Sequence, residues 1–328
     1  MKIFYFLICI TLLTFCLKNG SAQPILFQKN KYEFTLQSTT DWDEFSILKT
    51  CQFWNGLLYF LDEEQKCYRA YRGFELVDRI NLPKIISSDC HIGDDSLIHC
   101  VEAFAPVLRT YSLEGRKMGK TRLKLKEFEG LVNFTHYEAF RNAADNVFQK
   151  DSILMVTIPF VAKAREKGMH TIEKTGVIVW REDHKMPAYF LLNGEVDYIL
   201  NHDNKIYLFP ILGLGYSVYN LTSHSFDNVL PCYTHFDLEG SNSGIPFFID
   251  DKIYSYQHVW QNDRWDSYFC ERKNPDKVDC LSCIPANSDE YVINYYVHNV
   301  EERYFDFIWI PGDNLVKISR CYYELSDD

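Results

Sequence analysis

The stretch NKIYLFPILGLGYSVYN, residues 204–220, reads as two short strands joined by a glycine-rich turn. Its pattern is a turn followed by aliphatic residues and an aromatic residue. Clear copies are NGLLYF (55–60), DNKIYLF (203–209) and DDKIYSY (250–256), and weaker copies are DDSLIHC (94–100), KDSILMV (150–156) and EERYFDF (301–307). Equivalent positions are spaced 40 to 55 residues apart, at Tyr59, His99, Leu154, Tyr207, Tyr254 and Phe305. This recurrence predicts six related units.

Each unit is predicted to be a four-stranded antiparallel meander. Tyr and Phe lie mostly in short alternating runs bounded by Gly, Asn, Asp and Pro, which is typical of strands. A second aromatic residue follows twelve positions after the first in three copies, at Tyr71, Tyr111 and Tyr219. That distance accommodates one strand, a turn and part of the next strand. The best helical candidate is the segment 133–149.

Units of this size predict an all-β, six-bladed β-propeller, because a four-stranded sheet that cannot cover its own faces is buried by its neighbours in a closed ring. The last unit, from Glu290 to Leu325, shows only three strands. We expect the segment 31–38 to supply its fourth strand and close the ring. The alternative is a pair of packed β-sandwich domains, although no Pro/Gly/Ser-rich linker divides the chain.

The turn–aliphatic–aromatic rhythm resembles that of kelch-like and related six-bladed propellers. The resemblance is one of architecture alone, since the double glycine and the spaced Tyr and Trp of a kelch blade are absent. The YWTD and Asp-box motifs of other propellers are absent too. The resemblance therefore implies a fold and no particular family.

The first 22 residues have the layout of a secretory signal peptide. Lys2 precedes an apolar run over residues 3–17, and Gly20 and Ala22 precede a predicted cut before Gln23. The run is shorter than the roughly 20 residues that a spanning helix needs. We therefore expect residues 1–22 to be removed and residues 23–328 to form one secreted, extracellular domain without membrane insertion.

The charge of the chain disfavours two classes of partner. The formal net charge is −11, and loss of Lys2 and Lys18 with the signal peptide makes it −13. Nucleic acids and anionic membrane surfaces repel such a chain. An extracellular protein or glycan is the expected partner.

Nine cysteines remain in the predicted mature chain, and an oxidising compartment favours disulfides between them. Cys90 and Cys100 flank one predicted hairpin turn, and Cys270 and Cys280 flank another. Less direct pairs are Cys51–Cys67 and Cys232–Cys283. Cys321 is then the odd thiol, which could bond another chain. Because the CLSC motif at 280–283 has no partner motif, a disulfide role is favoured over a zinc site.

Two sequons fit the secretory route, NFT at Asn133 and NLT at Asn220. Asn220 is expected at an outward hairpin, where a glycan fits. Asn133 is expected at or near an innermost strand, which makes its glycosylation doubtful.

A candidate ligand-binding face lies on the loops that join second to third strands. One such loop, residues 162–174, carries a basic cluster that includes Lys163, Arg165, Lys167 and His170. Another places Trp260 and Trp265 on either side of a predicted turn. Trp and Arg dominate recognition hot spots, so this face is the expected contact with a ligand.

The alternative is a calcium-dependent secreted hydrolase of the lactonase or arylesterase type, which would use the central channel. Calcium requires six to eight oxygen ligands, and each inner strand offers few. The candidates are Asp89, Glu138, Asp197, Asp237 and Asn294, with His136 or His235 as a base. None lies in a recognised catalytic motif. The sequence therefore favours a non-catalytic binding protein without a cofactor, with calcium required only under the alternative.

Overall fold

The computed structural model describes residues 24–35, 52–62, 67–72, 75–82, 87–102, 104–140, 144–163, 172–209, 216–227, 241–249, 252–261, 264–274, 277–284, 295–299, 301–309 and 315–325. Most of these residues are in β-strands, and within them one 3-10 helix is present at Leu125–Phe128. The strands form six antiparallel sheets, numbered here in chain order. No helix in the described segments is long and apolar enough to cross a membrane.

The first strand, β1 (Pro24–Thr35), belongs to the last sheet. Sheet 1 contains β2 (Gln52–Trp54), β3 (Leu57–Asp62), β4 (Cys67–Arg72) and β5 (Glu75–Asn81). Sheet 2 contains β6 (Ser87–Ile92), β7 (Leu97–Glu102), β8 (Val107–Ser112) and β9 (Lys117–Arg122). Sheet 3 contains β10 (Tyr137–Ala139), β11 (Val147–Lys150), β12 (Ile153–Ala162), β13 (Ile172–Arg181) and β14 (Ala188–Asn193).

Sheet 4 contains β15 (Tyr198–His202), β16 (Lys205–Phe209), β17 (Ser217–Asn220) and β18 (Ser225–Asp227). Sheet 5 contains β19 (Ser241–Ile249), β20 (Lys252–Gln261), β21 (Arg264–Asn274) and β22 (Lys277–Ile284). Sheet 6 contains β23 (Tyr295–Asn299), β24 (Tyr304–Trp309) and β25 (Leu315–Leu325), and β1 completes it. Every recurrent sequence copy falls on the first hairpin and second strand of a sheet, as predicted.

The hairpin turns explain the recurrent Asp, Asn and Gly pairs. Asn55 and Gly56, between β2 and β3, both have positive φ (48° and 75°). Asp203 and Asn204, between β15 and β16, have φ of 47° and 58°. Two successive residues with positive φ form the turn whose twist matches a two-residue hairpin, and Asn, Asp and Gly adopt it at low cost. These pairs therefore serve turn geometry.

Apolar side chains pack between successive sheets. The core between sheets 1 and 2 joins Tyr68 and Ile80 to Ile98 and Tyr111. Three further cores follow the same plan: Val101 with Phe160 between sheets 2 and 3, Met155 with Leu208 between sheets 3 and 4, and Phe209 with Phe248 between sheets 4 and 5. Sheets 1 to 5 thus cover one another's faces in order, as in a β-propeller with four-stranded antiparallel blades, and the alternative of two sandwiches does not apply.

Sheet 6 meets sheet 1. The rings of Phe53 on β2 and Tyr304 on β24 pack edge to face, with their centroids 6.4 Å apart. Within sheet 6, β1 pairs antiparallel with β25 from Pro24 opposite Leu325 to Thr35 opposite Leu315. The N-terminal segment therefore supplies the fourth strand, but it begins at Pro24 rather than at residue 31. Residues 36–38 of the predicted strand lie outside the described chain.

Sheet 3 departs from the sequence prediction. The segment 133–149, the best helical candidate, contains a turn at 133–136 and then β10 and β11, so the helix prediction is wrong. Both strands pair with β12, β10 opposite its last residues and β11 opposite its first ones. They are one innermost strand interrupted between residues 140 and 146. Pairing with the long strand β12 outweighs the local helical pattern.

Side chains bridge the innermost strands of neighbouring sheets. The amide of Gln52 on β2 donates to the carbonyl of Ile92 on β6 and accepts from its N–H, both at 2.7 Å. The Asn146 amide donates to the Val196 carbonyl, 2.7 Å away, and so joins sheets 3 and 4. Tyr68 donates its hydroxyl hydrogen to the Cys90 carbonyl at 3.0 Å. These bonds satisfy backbone N–H and C=O groups that do not take part in the hydrogen bonding between strands.

Replacing Gln52 with leucine is expected to lower the free energy of unfolding by about 1–3 kcal/mol, because Ile92 loses a partner for both of its backbone groups. Urea denaturation measures this change. The matched control is Thr121→Val, an exposed polar-to-apolar change on β9, which should remain within about 0.5 kcal/mol of the wild type. Equal stability of the two variants would contradict the role of Gln52.

Candidate functional site

The meander topology separates two faces of the propeller. The hairpins between first and second strands lie on one face, which we call the hairpin face. The loops between second and third strands, and those between sheets, lie on the other, which we call the loop face. Of the predicted binding residues, Lys163, Trp260 and Trp265 are described, and each lies next to a loop between second and third strands.

The basic loop of sheet 3 is partly described. Lys163 is exposed, and its ammonium donates to the carbonyl of Phe134. Lys174, at the far end of the loop, donates to the Asn193 side chain at 3.2 Å and lies 5.5 Å from the ring centroid of Tyr137. Arg165, Lys167 and His170 lie outside the described residues. The two described lysines are therefore held in place by sheet 3.

Tyr137 connects the two ends of this region. Its hydroxyl donates to the carboxylate of Glu173 at 3.0 Å. This hydrogen bond raises the pKa of Tyr137. Tyr137 therefore remains protonated at neutral pH and combines a hydroxyl donor with an aromatic face beneath Lys174.

Exposed apolar side chains lie on the same face. Phe104, in the loop between β7 and β8, is 65% exposed, and Leu131, in the connection between sheets 2 and 3, is 46% exposed. Residues 129–134 line a depression of about 520 Å³. Sequence reasoning missed both residues because each stands alone in its loop, outside the repeat.

Trp260 and Trp265 are the candidate binding residues of sheet 5. Trp260 on β20 is directly opposite Trp265 on β21, and the two strands are joined through residues 262–263. The pair thus lies at the loop-face end of its hairpin.

Three of the five candidate calcium ligands lie in the described part of the chain. Asp89 on β6 is buried, and its Oδ2 accepts the N–H of Val147 on β11 at 2.8 Å. Asp197 is buried just before β15, and Glu138 lies half-buried on β10. Asp237 and Asn294 lie outside the described chain. In the described segments, no three His, Cys, Asp or Glu side chains form a group that could hold a metal ion.

Of the two candidate bases, only His136 is described. Its Nδ1 lies 2.8 Å from the amide nitrogen of Asn133 in an exposed turn. His235 lies outside the described residues. His136 is thus placed on the loop face, before β10.

Both sequons occupy turns. Asn133 is exposed, and its Oδ1 accepts from Thr135 in the turn that precedes β10. Asn220 ends β17, and its Oδ1 accepts from Thr222 at 2.8 Å. Because Asn133 is exposed at the end of the innermost strand, a glycan there has access to solvent. Occupancy of each sequon stays a prediction.

The hairpin of sheet 2 places two cysteines together. Cys90 on β6 is directly opposite Cys100 on β7. Gly93 donates its N–H to the Leu97 carbonyl, which makes that pair hydrogen-bonded. Since antiparallel pairs alternate, Cys90 and Cys100 form a pair without backbone bonds, in which the side chains come closest. The structure records both as thiols, and burial, together with the hydrogen bond to Cys90, raises the pKa of Cys100.

The other predicted pairs are described only in part. Cys270 is directly opposite Cys280, at a bulge between β21 and β22. Cys67 begins β4, whereas Cys51 lies outside the described chain. Cys283 is opposite Tyr268, and Cys232 lies outside the described chain too. Cys321 lies on β25 opposite Phe305.

We expect Cys90 and Cys100 to form a disulfide when the folded protein is kept in an oxidising environment. A closed loop of this size stabilises the fold by about 3 kcal/mol in the chain-entropy model. Reductant should therefore lower the stability of the wild type by about that amount more than it lowers the stability of Cys90→Ala/Cys100→Ala. Alkylation of both thiols in the folded, unreduced protein would contradict the bond.

His91 lies at the interface between sheets 2 and 3. Its Nε2 donates to the Gln149 carbonyl at 3.1 Å, and its ring lies 4.8 Å from that of Phe148. Burial lowers the pKa of His91 to about 4, and the neighbouring His99 contributes in the same direction. Asp94 and Asp95 in the adjoining turn oppose this shift. His91 is therefore neutral in the folded protein.

Acid is expected to destabilise the protein through His91. The unfolded histidine takes up a proton near pH 6.5 and the folded one only near pH 4, so stability falls as the pH is lowered between these values. The loss for this group is about 3 kcal/mol. His91→Gln keeps a hydrogen-bond donor without the titration, and should show a smaller difference between urea midpoints at pH 7.5 and pH 4.

The control is His184→Gln, since His184 is an exposed histidine in the turn between β13 and β14. It should retain the pH dependence of the wild type. An unchanged pH dependence in His91→Gln would refute the assignment.

Comparison with known proteins shows the fold and no more. No protein-family model and no curated protein matches the chain. Among solved structures, a member of the DUF4221 family from Bacteroides vulgatus has a TM-score of 0.54 at 10% identity, over 94% of this chain and 100% of that one. A streptogramin B lyase has a TM-score of 0.50 at 8% identity, over 91% and 98%. Together with the sheets, these similarities show that the chain is a β-propeller.

Proposed function

We propose that this protein is a secreted, non-catalytic binding protein whose six sheets form one closed, six-bladed ring. The pairing of β1 with β25 and the contact of Phe53 with Tyr304 support the closed ring. Its loop face binds an extracellular protein or glycan. The predicted signal peptide supports secretion.

The proposal rests on one observation, which is that the loop face combines exposed apolar side chains with lysines held in place. Phe104 and Leu131 expose apolar surface there, and Lys163 and Lys174 are anchored on the adjacent part of sheet 3. Apolar groups next to fixed polar donors are typical of recognition surfaces. The central channel is a weaker candidate for the binding site, because one carboxylate oxygen of Asp89 already accepts the Val147 N–H.

The test is retention of a ligand from extracellular fluid by the immobilised full-length protein, followed by mass spectrometry. Phe104→Ser/Leu131→Ser is expected to lose at least about 1.4 kcal/mol of affinity, a tenfold weakening. The matched control, Val77→Ser/Met186→Ser, removes exposed apolar side chains that lie away from the loop face. Equal retention by both variants would refute the loop-face proposal.

The alternative, a calcium-dependent hydrolase, makes a different prediction, which thermal denaturation with and without calcium tests. Calcium would raise the melting temperature of the wild type, and Asp197→Asn would abolish the rise, because a cation that binds only the folded state stabilises it. That result, with hydrolysis of an ester or lactone, would replace the binding proposal.

A further inference from the structure

We infer that β9, the outer strand of sheet 2, is a binding strip for a linear sulfated polysaccharide. The strip is the segment RKMGKTRLKLK, residues 116–126, which contains β9 and the residues on either side of it. It holds six cations and no acidic residue, in a chain with a net charge of −11. The cations are Arg116, Lys117, Lys120, Arg122, Lys124 and Lys126.

The strip is exposed along its length. All six cations are exposed, and so is Met118, at 61%. β9 pairs with β8 on one side only, because it is the last strand of its sheet. β9 therefore lies on the outer wall of the propeller, whereas Lys124 and Lys126 follow it in the connection to sheet 3, on the loop face.

A bulge aligns three of the cations. Arg122, Lys120 and Lys117 are opposite Val107, Arg109 and Tyr111 on β8, with a register shift between Thr110 and Tyr111. Alternate residues of β8 share one face of the sheet, so their partners on β9 share it too. Without the bulge, Lys117 and Lys120 would point to opposite faces.

The three aligned cations differ from the other basic residues of sheets 2 and 3 in their ion pairing. Arg109 pairs with Glu102, Lys150 pairs with Asp94 at 2.7 Å and Arg181 pairs with Asp183 at 2.5 Å. By contrast, within the part of the chain that the structure describes, neither an ion pair nor a side-chain hydrogen bond involves Lys117, Lys120 or Arg122. Cations that are aligned without ion pairs repel one another, and a bound anion reduces this repulsion.

The shape of the row indicates a linear anion. Residues two apart on a strand are about 6.8 Å apart, so the three cations follow a line rather than converging on one point. A single phosphate or carboxylate would contact only one or two of them, whereas a sulfated polysaccharide repeats its charges along a chain. Sulfated polysaccharides are the linear polyanions that a secreted protein encounters outside the cell.

The test is binding of heparin to the full-length protein. The wild type should bind heparin with an affinity that falls as salt increases, because counterions are released from both partners. Lys117→Gln/Lys120→Gln/Arg122→Gln should weaken binding roughly tenfold or more at 0.1 M salt and flatten the salt dependence. Lys185→Gln/Lys205→Gln/Lys252→Gln removes the same charge from hairpin and turn positions and should bind like the wild type.

Three outcomes would overturn the proposal. One is equal affinity of the two triple variants for heparin. The second is equal affinity of the wild type for heparin and for its unsulfated polysaccharide backbone. The third is tighter binding of polyglutamate than of heparin, which would assign the strip to an acidic polypeptide. None of these outcomes bears on Phe104 and Leu131, so the loop-face proposal stands or falls separately.

Discussion

The innermost strand of each sheet has one edge that no strand pairs, and the fold depends on satisfying the backbone groups along it. Neighbouring sheets supply the partners. Gln52 bonds both backbone groups of Ile92, Asp89 accepts the Val147 N–H, and Asn146 donates to the Val196 carbonyl. A buried backbone group without a partner is costly, so these short bonds hold neighbouring sheets in register while the apolar cores hold their faces together.

This constraint decides where function can lie. Polar side chains on the innermost strands, which in sequence resemble ligands for a cation, are used to join sheets. Asp89 is the clearest example, since it is buried and one of its oxygens is occupied by Val147. The side chains of the outer strands and loops are not required to join neighbouring sheets. Their side chains are free to differ between sheets, as those of β9 and of the loop that holds Phe104 do.

The sequence predicts the sheets well because each copy carries its own turn chemistry, as at Asn55 and Gly56. It fails where three-dimensional context decides. The split innermost strand of sheet 3 reads locally as a helix, and only its pairing with β12 makes it extended. Lys120 and Arg122 alternate on β9, which is a strand signal that the sequence reasoning missed. Lys117 lies on the same face as these cations only because of a bulge, and the sequence has no recognisable signal for that bulge.

The antiparallel pairing of β1 with β25 brings Pro24 opposite Leu325, so the two ends of the chain meet in one sheet. During synthesis, sheets 1 to 5 are complete before the last residues of β25 exist, and β1 has to wait for its partner. During that interval, the unpaired backbone groups of β1 would be exposed to other chains. The pairing of β1 with β25 thus joins residues about 290 positions apart in the sequence, and contacts of such long range form slowly. A circular permutant that joins Leu325 to Pro24 and opens between two sheets would make every sheet local and fold without that delay.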